Sequence, residues 1–327
     1  MSKMHLCSNI INPLINQVEG YCIIKTLSVK SNVKGADYLD LTLADAGGEI
    51  NAKLWDYSPE QHGAYQPQTV VKVRGTVSPF RDVDQLKIER IRNVNSGDTV
   101  DMRKLVPSAP FESEKMYKKI VYLIGDFKDE ELKRICSHFV EKYRDMMLVF
   151  PAALKLHHAQ RGGLLFHTTT MLDVAKGITD VYKRLYPQLR TELVYAGIIL
   201  HDIAKMEELV TCEIGLATGY STKGQLLGHI TMGASMIERA AAELGISEKT
   251  TNLLMHILLS HHGVPEFGSP RYPMFPEAEI VSEVDHLDAK MFTMYNVLDG
   301  VTEGEFSDRV WSLDNRQLYK HWTEETE

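Results

Sequence analysis

Cysteine is scarce and scattered in this chain: Cys7, Cys22, Cys136 and Cys212 stand far apart, with no CxxC pair. That spacing signals neither a thiolate zinc site nor a disulfide framework, and it suits a reducing cytosol. No apolar run reaches the roughly 18 residues a membrane span needs. The opening MSKMHLCSNIINPLINQ has neither a long apolar core nor a small-residue cleavage site. A soluble, unexported, cytoplasmic protein is expected. Repeats and low-complexity segments are absent. Positive charge is not in surplus either, because the formal net charge is -8, and the chain as a whole is no general binder of polyanions. From Val18 to Asn95, however, ten Lys and Arg stand against ten Asp and Glu. The acidic excess therefore lies mostly elsewhere, and a basic face can still gather locally.

Two textures divide what is there. Up to about Asn95 the pattern has period two: Leu39, Leu41 and Leu43 alternate with Tyr38, Asp40 and Thr42, and Ile50, Ala52 and Leu54 with Asn51, Lys53 and Trp55. These are strands with one buried face. Gly20 to Val29, Thr69 to Ser78 and Gln85 to Ile91 read as further strands. Ala46-Gly47-Gly48 is a hairpin turn, and Tyr57 to Pro67 a short helix or loop. Five strands in this order suit a small Greek-key barrel of the OB type. Alternation then puts Lys53, Trp55, Lys72, Arg74 and Lys87 outside, with Lys30, Lys34, Phe80 and Arg81 at the two loops flanking an OB binding face. Cations beside aromatic surfaces suit single-stranded nucleic acid, where stacking contributes about 1–3 kcal/mol per base. The competing reading is a solvated strand face with its tryptophan packed on a neighbour.

Ser96-Gly97-Asp98 and the stretch holding Pro107 and Pro110 read as a linker. Beyond it the period is helical, over Glu112 to Ile124, Asp129 to Tyr143, Gly163 to Tyr186, Thr191 to Lys205, Leu226 to Leu244, Glu248 to His262 and Glu277 to Leu298. Asp129 and Ser247 are candidate N-caps, and Gly245 a candidate C-cap. The expected organisation is multidomain: an all-β barrel over 1–96, a linker over 97–112, and an all-α domain over 113–327.

Within the helical stretch stand His167, His201-Asp202, His229, His261-His262 and Asp285. His201 and Asp202 end the apolar run Ala196-Gly197-Ile198-Ile199-Leu200, and His261 and His262 follow Ile257-Leu258-Leu259. Polar side chains are thus carried into positions that are otherwise core. Burying them alone would cost several kcal/mol, which a shared divalent ion removes. Imidazole with carboxylate suits Mn, Fe, Co, Zn or Ni, and seven such groups exceed what one ion can use while leaving a position open for water. Two divalent ions are the better reading.

The ordered set H...HD...D resembles the HD superfamily of metal-dependent phosphohydrolases, and His229, His261 and His262 resemble its two-metal variant. That resemblance implies one ion held by His167, His201, Asp202 and Asp285, a second by His229, His261 and His262, and Asp202 bridging them. An OB barrel before the HD domain narrows the resemblance. So do His157-His158 before Gly162-Gly163-Leu164, Leu226-Leu227-Gly228-His229, Ser260-His261-His262-Gly263, Phe267-Gly268-Ser269-Pro270 and the tail Glu305-Phe306...Asp314-Asn315-Arg316...Tyr319-Lys320. Together they resemble the YhaM-type 3'-to-5' exoribonucleases over nearly the whole chain. This implies Mn-favouring hydrolysis of single-stranded RNA from the 3' end to nucleoside monophosphates. Single-stranded DNA is a second candidate substrate, and Fe, Co, Ni or Mg are alternative ions. One departure is Ala204, in the HDxxK turn where many members carry Gly.

On this reading two cations hold a water as hydroxide near neutral pH and neutralise phosphate charge, so no protein nucleophile is needed. Lys205 is the candidate partner of the scissile phosphate, against a helix-terminal lysine favoured by the helix dipole. His157 and His158 touch substrate or protonate the leaving oxygen, or else cap the helices before Gly162. Arg271, Arg309 and Arg316 are phosphate-binding candidates, equally readable as structural. The alternative enzyme is an HD nucleotidohydrolase or cyclic-nucleotide phosphodiesterase acting on a small nucleotide, which has no need of the OB module. A binding scaffold with a structural metal site ranks third, because structural sites are coordinatively closed.

Overall fold

The computed structural model describes residues 11–12, 17–80, 83–155 and 157–323. Arg81 and Cys7 lie outside the described residues. Two compact units are present, Met1–Ser108 with Cys212–Leu216, and Ala109–Thr211 with Ala217–Glu327.

The first unit is a closed barrel. Its elements in order are β1 (Ile11–Asn12), β2 (Gln17–Ser31), β3 (Asp37–Asp45), β4 (Gly48–Leu54), α1 (Pro59–His62), β5 (Val70–Phe80) and β6 (Val83–Asn93). Antiparallel pairs join β2 to β3, β3 to β4 and β5 to β6. A parallel pair joins β4 to β6, and β2 closes the ring by pairing antiparallel with β5. Closure leaves the five long strands without a bare edge. The alternation has its expected consequence: Leu39, Leu41, Leu43, Ile50, Ala52, Leu54, Val71, Val73, Leu86 and Ile88 fill the interior, while Lys53, Trp55, Lys72 and Arg74 stay outside it. A smaller apolar cluster of Ile23, Leu105, Val106 and Ile214 completes this unit.

The second unit is helical: α2 (Ser113–Gly125), α3 (Glu130–Lys142), α4 (Arg144–Met147), α5 (Gly163–Leu185), α6 (Thr191–Leu200), α7 (Lys205–Glu208), α8 (Thr222–Leu244), α9 (Glu248–Ser260) and α10 (Pro276–Asp299). The side chain of Asp129 accepts the N–H groups of Glu131 and Leu132 to start α3, and Ser247 accepts that of Thr250 to start α9. Gly245 ends α8 at φ 63°. A short antiparallel hairpin of β7 (Leu209–Thr211) and β8 (Ala217–Tyr220) stands between α7 and α8. It corrects the expectation of helices alone here, since strands of three and four residues are too short for a period to register.

What positions the site is α6. Leu193, Val194, Ala196, Gly197, Ile198, Ile199 and Leu200 are all buried, the pattern of a helix enclosed on every side. Gly197 allows this, because a Cβ there would come within 2.9 Å of the Ile257 side chain on α9. The residues that follow α6 are therefore delivered to the middle of the bundle. Beyond α10 the chain folds back through the bridges Phe306 to Tyr319 and Val310 to Arg316 over a small core of Leu298, Leu313 and Leu318. Among the described residues no helix is long and apolar enough to cross a membrane.

Candidate metal centre

His201 and Asp202 lie in the turn at the end of α6, His167 on α5, His229 on α8, His261 and His262 just past α9, and Asp285 on α10. These side chains, 118 positions apart at the extremes by their numbering, come together around Asp202. Its Oδ2 lies 3.2 Å from His201 Nε2 and 3.8 Å from His167 Nε2. Its Oδ1 faces the other way, 3.5 Å from His229 Nε2 and 3.9 Å from His261 Nε2. His167 Nε2 is also 3.2 Å from Asp285 Oδ1 and 3.3 Å from His201 Nε2. Two groups of donor atoms thus flank one carboxylate: His167, His201 and Asp202 on one side, and His229, His261 and His262 on the other.

The imidazoles are aimed from behind. His201 Nδ1–H donates to the Ile198 carbonyl at 2.8 Å and His261 Nδ1–H to that of Leu258 at 2.7 Å. His167 Nδ1 lies 2.6 Å from Asp288 Oδ2, and His229 Nδ1 3.2 Å from Glu208 Oε1. An acceptor on Nδ1 fixes the tautomer and turns the Nε2 lone pair forward, the arrangement of metal-ligating histidines. Gly228 makes the His229 placement possible. It breaks α8 at φ 69° and ψ 155°, a conformation essentially reserved for glycine.

Four buried polar atoms have no hydrogen-bond partner among the described residues: Asp202 Oδ1, His229 Nε2, His261 Nε2 and His158 Nδ1. The first three face one another at the second group of donors. Groups orphaned in this way are costly to bury, and a divalent cation with N and O ligands satisfies all three at once. The donor set fits metal.

The same electrostatics shift the titration of these groups. Burial works against ionising Asp202, yet Lys205 and His201 hold its carboxyl well below the usual carboxylate range. Burial also opposes a charge on His167, but its bonds to Asp285 and Asp288 push it up to about 9. His261, facing mostly other imidazoles, is pushed well down by burial and by His262 and His201. Lys205, only 8% exposed, places Nζ 2.7 Å from Asp202 Oδ2, and its pKa is raised because that carboxylate outweighs burial. Ala204 sits at φ -74° and ψ -12°, a right-handed conformation that requires no glycine.

A cleft of about 970 Å³ opens over these residues, lined by His157, Lys205, His229, His262 and Asp285 among others. The structure separates the neighbouring histidines. His157 lines the cleft and is pushed down to about 3 by burial and by Lys205. His158 turns away from it: 1% exposed, it bonds Asp288 at 2.7 Å and packs on the Phe292 ring at 4.0 Å. Arg271 is exposed and is not among the residues lining the cleft. Arg309 is engaged with the Asn315 carbonyl.

On the barrel, Lys53 Nζ stands 5.2, 5.4 and 5.9 Å from the ring centres of Tyr38, Trp55 and Phe80. Tyr38 and Trp55 are 4.7 Å apart. Lys72 lies on another side of the barrel, over Tyr21 at 5.6 Å, and Arg74 pairs with Glu89 at 3.6 Å. The expected outer face is therefore split, with its aromatic part around Lys53. Asp288, Glu208 and Tyr38 are among the residues whose role the sequence pattern does not single out. Asp288 follows Asp285 by three, which puts both on one helix face, and Tyr38 is one position beyond the Leu39–Leu54 pair that fixes the β3–β4 register.

The model of the HD domain family matches residues 164–290, the span holding every member of the Asp202 cluster. The chain is 40% identical over 304 residues to 3'-5' exoribonuclease YhaM of Bacillus licheniformis, covering 93% of this chain and 95% of that protein. It is equally similar, at 40% over 304 residues, to 3'-5' exoribonuclease YhaM of a Geobacillus species, covering 92% of that protein. Among solved structures, the second OB-fold domain of replication protein A from Methanococcus maripaludis aligns with 30% of this chain and 98% of its own, at 15% identity and a TM-score of 0.22. With 40% identity sustained over nearly its whole length and the full histidine and aspartate constellation in place, this chain belongs to the family of the YhaM 3'-5' exoribonucleases.

Proposed function

We propose that the protein is a metal-dependent 3'-to-5' exoribonuclease that hydrolyses single-stranded RNA to nucleoside monophosphates, with single-stranded DNA as a second substrate and two divalent ions, manganese first among them, as cofactors. The observation that carries this reading is the buried Asp202, whose two oxygens face two separate sets of histidines, beside an open cleft that Lys205, His229, His262 and Asp285 line. The names of the relatives support the substrate and the direction. His167, His201, Asp202 and Asp285 would hold one ion, and His229, His261 and His262 the other, with Asp202 shared. When bound, the ions supply acidity to water and positive charge to the phosphate.

The chain's own residues do the rest. Lys205 presents an ammonium to the cleft beside Asp202 and would take a phosphate oxygen. His157 lines the cleft and, kept uncharged by burial and by Lys205, would donate a ring N–H to a substrate oxygen rather than act as a charged acid. His158 holds Asp288, and Asp288 holds His167. On the barrel, Trp55, Phe80 and Tyr38 offer rings for bases, and Lys53 a cation for a phosphate. A hydrolase of small nucleotides would leave that surface without a role.

The test is a time course on 5'-labelled and 3'-labelled single-stranded RNA with manganese, with and without chelator. Progressive shortening of the 5'-labelled strand with immediate loss of the 3' label as mononucleotide is expected. Intact RNA beside rapid turnover of a cyclic or free nucleotide would sink the assignment.

A further inference from the structure

Trp311 stands 75% exposed although both sides of its segment are tied down. Val310 and Leu313 pack into the small core with Leu298 and Leu318. The backbone N–H of Val310 donates to the Arg316 carbonyl at 2.9 Å, and that of Leu313 to the Val310 carbonyl at 3.0 Å. Asp314 and Asn315, both at φ 56°, close the turn, the paired left-handed conformation of a tight hairpin. This hairpin holds a tryptophan that its own fold does not bury. The ring lines the same cleft as Lys205 and His229, and so does Tyr220 at the end of β8, itself 48% exposed. Two large aromatic side chains, 91 positions apart by their numbering, are thus presented to one cavity by different supports.

The cavity has a division of chemistry. Its polar part includes Lys205, His229, His262, Asp285 and Glu208, while Leu209, Phe292 and Val297 contribute apolar wall, and Lys155, Lys290 and Asp314 add exposed charges of both signs. At about 970 Å³ it is at the upper end of ordinary ligand sites, which leaves space for bases beyond the one whose phosphate is cut.

We propose that Trp311 and Tyr220 are the stacking surfaces that seat the terminal nucleobases of the strand in the cleft, and so bring the last phosphodiester to Lys205 and the Asp202 cluster. The proposal rests on the exoribonuclease reading and deepens it. Stacking requires a π-face and no particular hydrogen-bonding edge, so the enzyme would accept any base at the end of the strand yet discriminate against an end without bases.

The experiment compares a ten-residue oligoadenylate with the same strand carrying abasic riboses at its two 3'-terminal positions, for the full-length protein and its Trp311→Ala, Trp311→Phe and Tyr220→Ala variants. On oligoadenylate, Trp311→Ala should raise KM by about 5- to 100-fold, the range of one lost stack, and Trp311→Phe should recover most of that. On the abasic strand Trp311→Ala and the unaltered protein should have equal KM. Strand binding in chelator, read by fluorescence polarisation, should follow the same order without any turnover. An unchanged KM and binding in Trp311→Ala on oligoadenylate overturns the proposal, as does an equal penalty on the abasic strand. If the unaltered protein with manganese cleaves no RNA, the exoribonuclease reading itself falls.

Discussion

Glu208 holds His229 at two points: its Oε1 accepts the His229 backbone N–H at 2.9 Å and lies 3.2 Å from Nδ1 of the same ring. The carboxylate therefore sets both where the residue sits and which way its Nε2 points. Glu208→Gln keeps the size and an oxygen that accepts the backbone N–H, but removes the charge that would make the imidazole of a proposed ligand more basic. Loss of such an outer partner weakens metal binding by about 10- to 100-fold. Metal titration of Glu208→Gln should show one ion weakened by that factor and the other unchanged, with the circular dichroism spectrum intact. Equal weakening of both would contradict the separation of the two donor groups by Asp202.

Gly228 acts on the same histidine through the backbone. At φ 69° and ψ 155° a side chain is strained by about 1–3 kcal/mol. Crowding is not the cause, because the nearest atom to an added Cβ is Glu208 Oε1 at 4.0 Å. Gly228→Ala should lower the melting temperature and, by displacing His229, lower kcat further than a loss of stability alone can at a temperature where the variant is folded. A melting temperature equal to that of the parent would show that the break in α8 tolerates a side chain.

Much of this centre is legible in the chain because burial leaves a periodic record. The run into His201 and Asp202 has no polar face, so polar groups at its end announce a partner in the core. Alternation likewise wrote the barrel interior into β3 and β4. Asp288 and Glu208 are not legible in that way. A carboxylate three residues from another ionic group on a helix is most often a solvated pair, and only the packing of α10 against α5 and of α7 against α8 shows that these two face imidazoles. Trp311 escaped for a different reason: its segment has no period at all, and it precedes a turn with two left-handed residues, Asp314 and Asn315.

Glu131 gives a pH dependence away from the centre. Its carboxylate accepts the Thr250 hydroxyl at 2.5 Å, the Ser247 hydroxyl at 2.7 Å and the Ser247 backbone N–H at 2.8 Å, tying α3 to the start of α9. Those donors, Thr250 foremost, hold its carboxyl below the usual carboxylate range. A carboxyl lowered on folding contributes stability above its unfolded pKa and loses it as the pH falls through the folded value. Because the site is partly solvated, the contribution is about 1 kcal/mol. Denaturant melts should find Glu131→Gln weaker than the parent by that amount at pH 7, with the two converging as the pH falls through the lowered folded value. A gap that persists in acid would assign the effect to shape rather than charge.

Lys53 is surrounded by three rings, and two roles for it make different predictions. An ammonium that meets a phosphate releases counterions from the strand, so removing it flattens the dependence of log affinity on log salt by about 0.7. An ammonium that only steadies the rings through cation–π attraction lowers affinity by a similar factor at every salt concentration. Our reading gives the phosphate to Lys53 and the bases to Trp55, Phe80 and Tyr38. Lys53→Ala should therefore flatten the salt slope for single-stranded RNA, while Trp55→Ala should leave the slope alone and weaken binding by about 5- to 100-fold throughout. Trp55 is 38% exposed and outside the barrel interior, and an unchanged melting temperature in Trp55→Ala makes the comparison one of binding rather than folding. Unchanged slopes and affinities in both variants would remove this surface from RNA recognition and leave Lys53 as a solvated member of a strand.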